Sequence, residues 1–297
     1  MKRFLAMLLL LPASASAHGG HEHAAGVPGW TLDPSVTFPL LIAALLYAIG
    51  FARLWRRSTL GRASLRRDGL TFAGGWTVLA GALVSPLHEA GERSFTMHMI
   101  EHELIMLVAA LLLVAAKPGA AFLWAFPLRA RQALGGTARA PWAGASWRFF
   151  TAPVTATALQ GAAMWLWHMP ALFDRALAGK GWHIAQHASF LVTALLFWWA
   201  MIHARGGRHG YGVSTVCLFV TSLIGGALGA LMAFSTSPWY AGYAALGMTP
   251  FGISPAEDQQ LAGLVMWIPG GLVHAGAALY FLYKWLNGSE ARNVVTA

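Results

Sequence analysis

The chain has 297 residues, 57% of them hydrophobic and only 10% charged, with 14 tryptophans. That balance excludes a soluble globular enzyme and describes an all-α polytopic membrane protein embedded in the lipid bilayer. The formal charge of +9 does not make it a nucleic-acid binder, because the Lys and Arg residues fall in short loops between apolar runs, where they report topology. A single cysteine, Cys217, lies inside an apolar run, so neither a disulfide framework nor a Cys-x-x-Cys site is available and any soft-metal chemistry must use His and Met.

In chain order, Lys2 and Arg3 precede an apolar run from Phe4 to Leu11, followed by Pro12 and the small residues Ala15-Ser16-Ala17. This predicts a signal peptide over 1–17, too short to span a bilayer and cut after Ala17. His18 then heads a His-rich segment, 18–35. Its amine and imidazole, with His21 and His23 nearby, offer nitrogen ligands to copper.

Seven apolar spans follow, at 36–55, 69–87, 95–116, 150–167, 183–203, 212–234 and 261–286, the whole forming a transmembrane domain over 36–286 with a tail at 287–297. Asp33-Pro34 marks the start of the first. Arg53, Arg56, Arg57, Arg62, Arg66 and Arg67 form a basic loop after it, and Lys117, Arg129, Arg131, Arg139 and Arg148 a second, aromatic-rich loop expected to lie along the membrane surface. Beyond the signal, only Arg93, Arg175 and Lys180 fall on the opposite side. The bias places the mature N-terminus in the periplasm and the C-terminus in the cytoplasm of a bacterial inner membrane.

With that topology, six histidines share the outer layer. His88 ends span two, His98 and His102 begin span three, His168 ends span four, and His183 and His187 begin span five. His98 with His102 and His183 with His187 are both i, i+4 pairs, each placing two imidazoles on one helix face. Two such pairs facing each other, with His168 near, make a nitrogen-rich site for a transition metal. Met97, Met99, Met106, Met164, Met169 and Met266 occupy the same half of the bundle, and thioethers favour Cu(I); the same residues also serve as ordinary apolar packing. Glu101 shares the His98–His102 face and can balance metal charge or take a proton as metal enters. Glu103 points elsewhere, toward Arg93, Arg175 or interfacial water. His203, His209 and the deeper His274 read as structural, while Gly225-Gly226, Gly229 and Pro269-Gly270-Gly271 permit close helix contact and a bend.

Four blocks in order, His98-Met-Ile-Glu-His102, Trp167-His-Met-Pro170, His183-Ile-Ala-Gln-His187 with Phe197-Trp-Trp199, and Glu257-Asp-Gln-Gln260 followed by Met266-Trp-Ile-Pro-Gly-Gly271, resemble the seven-span CtaG family of caa3-type cytochrome c oxidase assembly factors. The resemblance covers roughly 36–286. It implies an inner-membrane, non-enzymatic factor that matures a haem-copper oxidase by handling copper, with an oxidase subunit or a periplasmic copper chaperone as partner. Two other readings stay open: a haem-binding redox protein using one imidazole from each of two helices, and a copper permease, which requires polar residues through the inner half of the bundle.

Overall fold

The computed structural model describes residues 28–203 and 210–293, and every regular element among them is helical. Asp33 opens α1 (Pro34–Arg57), its carboxylate accepting the Ser35 N–H at 2.9 Å, with Pro34 in the first turn, where a missing N–H costs nothing. The Asp33 carboxylate also pairs with Lys180 at 2.7 Å, at the start of a distant helix. Partial desolvation works to raise the pKa of this carboxyl, but hydrogen bonds from Lys180 and Ser35, with the lysine charge, hold it below its ordinary 3.8. A depressed carboxyl stabilises the fold above its unfolded pKa and loses that contribution as pH falls through the folded value. The stability difference between wild type and Asp33→Asn, read by thermal unfolding in detergent, is therefore expected at neutral pH and to shrink as pH falls below the carboxyl's ordinary 3.8, vanishing once pH passes below the lowered folded value.

α2 (Arg62–Val84) begins within the expected basic loop, so Arg62, Arg66 and Arg67 ride on its first turns. It ends earlier than expected, because Ser85-Pro86 breaks it. Proline has no N–H to continue the ladder, and Ser85 instead accepts the Leu87 N–H to start α3 (Pro86–Arg93), bent 44° from α2. The next rod is Phe95–Ala115, comprising α4 (Phe95–Glu103), a wider π-type stretch (Leu104–Ala109) and α5 (Ala110–Ala115). Three short helices replace the expected second loop: α6 (Gly119–Trp124), α7 (Leu128–Arg139) and α8 (Pro141–Phe150). Arg53 donates to the carbonyls of Trp124, Ala125 and Phe126, tying the end of α1 to the region beyond α5.

α9 (Pro153–Trp167) has 15 residues, about 22 Å of helix against a hydrocarbon core of about 30 Å. It is shorter than expected because a turn at Thr151-Ala152 separates it from α8. α10 (Pro170–Ala178) occupies the expected outer connection before α11 (Lys180–Ile202) and α12 (Gly210–Ala233). α13 (Ala241–Leu246) is short, and α14 (Pro255–Asn293) starts six residues before the expected seventh span and is the longest helix. Among the described residues, five helices are long and apolar enough to cross a membrane by themselves, six if α2 and α3 count as one broken span.

Ends of elements cluster consistently. Val84, Asp33 and Lys180 meet at one end of the bundle, where Thr31 N–H donates to Val84 O; at the other, His203 Nε2 donates to Val114 O at 3.2 Å. α12 and α14 approach most closely at Gly229 and Gly263. A methyl on Gly229 would sit 2.7 Å from Gly263 O, and one on Gly263 would collide with the backbone of Gly229 and Ala233. Gly263→Ala is expected to destabilise the solubilised protein by about 1–3 kcal/mol, as overpacking does, visible as a lower unfolding midpoint by tryptophan fluorescence. An unchanged midpoint would mean that the two backbones are free to separate.

Candidate metal centre

Three helix ends deliver the imidazoles. The N-terminus of α4 is clamped by Asp258 from the first turn of α14: the carboxylate accepts Ser94 Oγ at 2.8 Å, Phe95 N–H at 2.6 Å and Thr96 N–H at 3.2 Å, while Thr96 Oγ1 donates to Asp258 O at 2.9 Å. A buried carboxylate is stabilised there because it faces the free N–H groups and the positive end of the helix dipole. Its neighbours act in the other direction along the chain. Gln259 accepts Trp239 N–H and donates to Ser237 O, Gln260 donates to Ser235 O, and Ser254 with Glu257 forms a capping box. The Glu-Asp-Gln-Gln block thus holds α14, α4 and the segment after α12 together.

α4 presents His98 and His102, both buried, one turn apart with ring centroids at 4.2 Å. α11 presents His183 and His187 at 4.4 Å. The pairs face each other: His98 stacks on His183 at 5.5 Å, and the Nε2 atoms of His102 and His187 lie 3.1 Å apart. The bend at Ser85-Pro86 tilts α3 so that His88 joins them, stacked on His183 at 5.2 Å. Ligand-type nitrogens of His98, His102 and His187 all lie within 4.8 Å of one another, as do those of His88, His183 and His187. These are two triads with His187 in common.

Glu101 stands between them. Its Oε1 accepts His88 Nδ1 at 2.8 Å and lies 3.7 Å from His187 Nδ1. A carboxylate on the far nitrogen of an imidazole fixes which nitrogen presents its lone pair, as it does behind metal-bound histidines. The donor set suits a borderline or soft ion: His102 Nδ1, His183 Nε2 and Glu101 Oε2 are buried without hydrogen-bond partners. Buried polar atoms are normally paired, so several in one cluster mark a place where a ligand would relieve them.

His168 stands beside this cluster and outside both triads. Its Nδ1 donates to Met164 O at 2.7 Å, Nε2 lies 3.5 Å from Met99 Sδ, and its ring is 6.5 Å from His102. Met99, Met164 and Met266 are buried together, whereas Met169 is exposed. His18, His21, His23 and His209 lie outside the described residues. Glu103 is a correction. Instead of reaching toward Arg93 or Arg175, it turns into the bundle against Gly270, because Gly270 has no side chain to fill that space. Two participants escaped the assignment from sequence. His88 was placed in the right layer but not in the ligand set, since Ser85-Pro86 signalled a span end and not a bend into a further helix. Asp258 was left in a loop, although the capping box Ser254-x-x-Glu257 marked a helix start.

Residues 45–288 match the family model described as cytochrome c oxidase caa3 assembly factor (Caa3_CtaG). The chain is similar to two mycobacterial proteins, Uncharacterized protein Mb0105 of Mycobacterium bovis (strain ATCC BAA-935 / AF2122/97) and Uncharacterized protein MT0111 of Mycobacterium tuberculosis (strain CDC 1551 / Oshkosh). Each is 28% identical over 250 residues, which is 80% of this chain and 36% of the relative, so the chain spans little more than a third of their length. No solved structure matches. The matched region contains the histidine-bearing helices α3, α4 and α11 together with the Asp258 clamp, and this chain belongs to the caa3-type cytochrome c oxidase assembly factor family.

Proposed function

We propose that the chain binds copper in the outer layer of a bacterial inner membrane and supports its delivery to a caa3-type oxidase, making and breaking no covalent bond itself. The observation that carries the reading is the pair of histidine triads sharing His187. The two differ in access. His88 and His183 are partly exposed, whereas His98 and His102 are buried. An ion admitted by the outer triad passes to the inner one by exchanging two ligands while His187 remains bound. His18, His21 and His23 collect the ion from the periplasm or from a copper chaperone, after removal of residues 1–17.

The reading places α1, α2 with α3, Phe95–Ala115, α9, α11, α12 and α14 as seven crossings, with the N-terminus periplasmic and the C-terminus cytoplasmic. α9 crosses as a short helix completed by the turn before it. The domain scheme is then a signal peptide, a His-rich segment, the bundle over 36–286 and a short cytoplasmic tail. α6, α7 and α8, whose Trp142, Trp147 and Phe149 are exposed, lie along the inner surface.

A bare ion fits better than a haem. Five imidazoles occupy one cluster with neighbouring centroids 4.2–5.9 Å apart, which leaves the space a porphyrin plate would need filled by other rings. Purified protein is expected to retain copper and show no Soret band. In cells, His98→Ala with His187→Ala is expected to lower the copper content and activity of the client oxidase; full oxidase activity in that strain would reject the proposal.

A further inference from the structure

We propose that the middle of the bundle holds a second site, for one soft monovalent cation, made by Glu103, Met106, Gln160, Met164, Met266 and His274. These residues line a cavity of about 20 Å³ between the Phe95–Ala115 rod, α9, α11, α12 and α14. That volume admits one water or one bare ion and nothing larger. Glu103 Oε2 is buried without a hydrogen-bond partner, and Glu103 makes no ion pair among the described residues. Gln160 is only 4% exposed; its Nε2 donates to Met106 Sδ at 3.3 Å, which leaves Oε1 as a second buried acceptor without a partner.

No Lys or Arg lines the cavity. A carboxyl amid hydrocarbon stays protonated unless an opposite charge lies close by, and the remaining donors specify the kind of cation that would take the proton's place. Three thioethers and an imidazole are poor partners for Na⁺ or Mg²⁺ and good ones for Cu(I) or Ag(I). One water could satisfy Gln160 Oε1, but it would bring no charge and would find weak acceptors in the thioethers.

The cavity continues the two ladders that carry the outer histidines. His98, His102 and Met106 follow at four-residue steps on the Phe95–Ala115 rod, and Gln160 and Met164 on α9 lead by the same step to His168 at its C-cap. The π-type stretch Leu104–Ala109 lies beside the cavity, and Trp198 Nε1 donates to Met106 O at 2.9 Å while its ring stacks on His274 at 5.8 Å and 8°. Wider turns of this kind recur at functional sites. The inner site uses none of the imidazoles of the two triads, so it can be present or absent independently of them.

The test is metal analysis of the full-length protein, purified in detergent and loaded with Ag(I), or with Cu(I) under reductant. The outer-site variant H98A/H187A is expected to keep about one ion per chain, with sulfur scatterers in its X-ray absorption spectrum. Adding Glu103→Gln and Met106→Leu should remove that ion. A monodisperse outer-site variant that binds no ion, or binds one through nitrogen and oxygen alone, overturns the inner site. So does retention of the ion after the Glu103 and Met106 changes. Should the quadruple variant fail to fold, Met106→Leu and Met164→Leu, each close in volume, must each diminish the sulfur signal in the outer-site background. A wild type and H98A/H187A that bind equally, with loss only on changing Glu103 and Met106, would remove the outer-site reading and leave this one standing.

Discussion

Replacing His187 with alanine is expected to weaken Cu(I) binding at the outer cluster by more than about 100-fold, and by more than any other single histidine change there. The figure follows from comparison: removing a partner behind a metal ligand costs about 10–100-fold in affinity, and His187 supplies a nitrogen to both triads. His88→Ala leaves the triad of His98, His102 and His187; His102→Ala leaves that of His88, His183 and His187. Each is expected to retain an ion. Glu101→Gln keeps the shape but removes the charge that fixes His88 at 2.8 Å and faces His187 at 3.7 Å, and its expected loss is about 10–100-fold. Competition titrations against a Cu(I) chelator separate these cases. Equal loss in His88→Ala, His102→Ala and His187→Ala would show one joint site in place of two that share a ligand.

Asp258→Ala is expected to lower the stability of the bundle by about 3 kcal/mol or more, the largest effect of any change remote from the imidazoles. The carboxylate is 2% exposed and accepts three hydrogen bonds from Ser94, Phe95 and Thr96. A hydrogen bond to a charged group contributes about 1.5–3 kcal/mol, and removing the acceptor strands buried donors. Alanine also leaves the positive end of α4 without its counter-charge. Because α4 carries His98 and His102, copper affinity is expected to fall with stability. Asp258→Asn keeps one acceptor oxygen and is expected to lie between wild type and alanine. Thermal unfolding and metal binding measured on the same samples check the coupling; an alanine variant of normal stability would show that α4 is held by its apolar contacts alone.

The sequence by itself determined which segments are apolar, and the i, i+4 spacing determined that His98 with His102 and His183 with His187 each share a helix face. Those are local properties: hydropathy runs along the chain, and a helix of 3.6 residues per turn decides which neighbours align. The order of the long apolar helices was legible for the same reason, as was the gathering of the six histidines, whereas the short helices α3, α6, α7, α8, α10 and α13 were not. Tertiary structure decided the rest. The rotation of each helix about its own axis, which no local pattern specifies, turns the two pairs toward each other and sends Glu103 into the bundle beside Gly270. The proline at position 86 was visible as a break, but only packing settles that the chain beyond it continues as a helix tilted by 44° and brings His88 to Glu101. Sharing of His187 between two triads is a property of three helices at once, set by how closely they can approach and therefore absent from any single stretch of the chain.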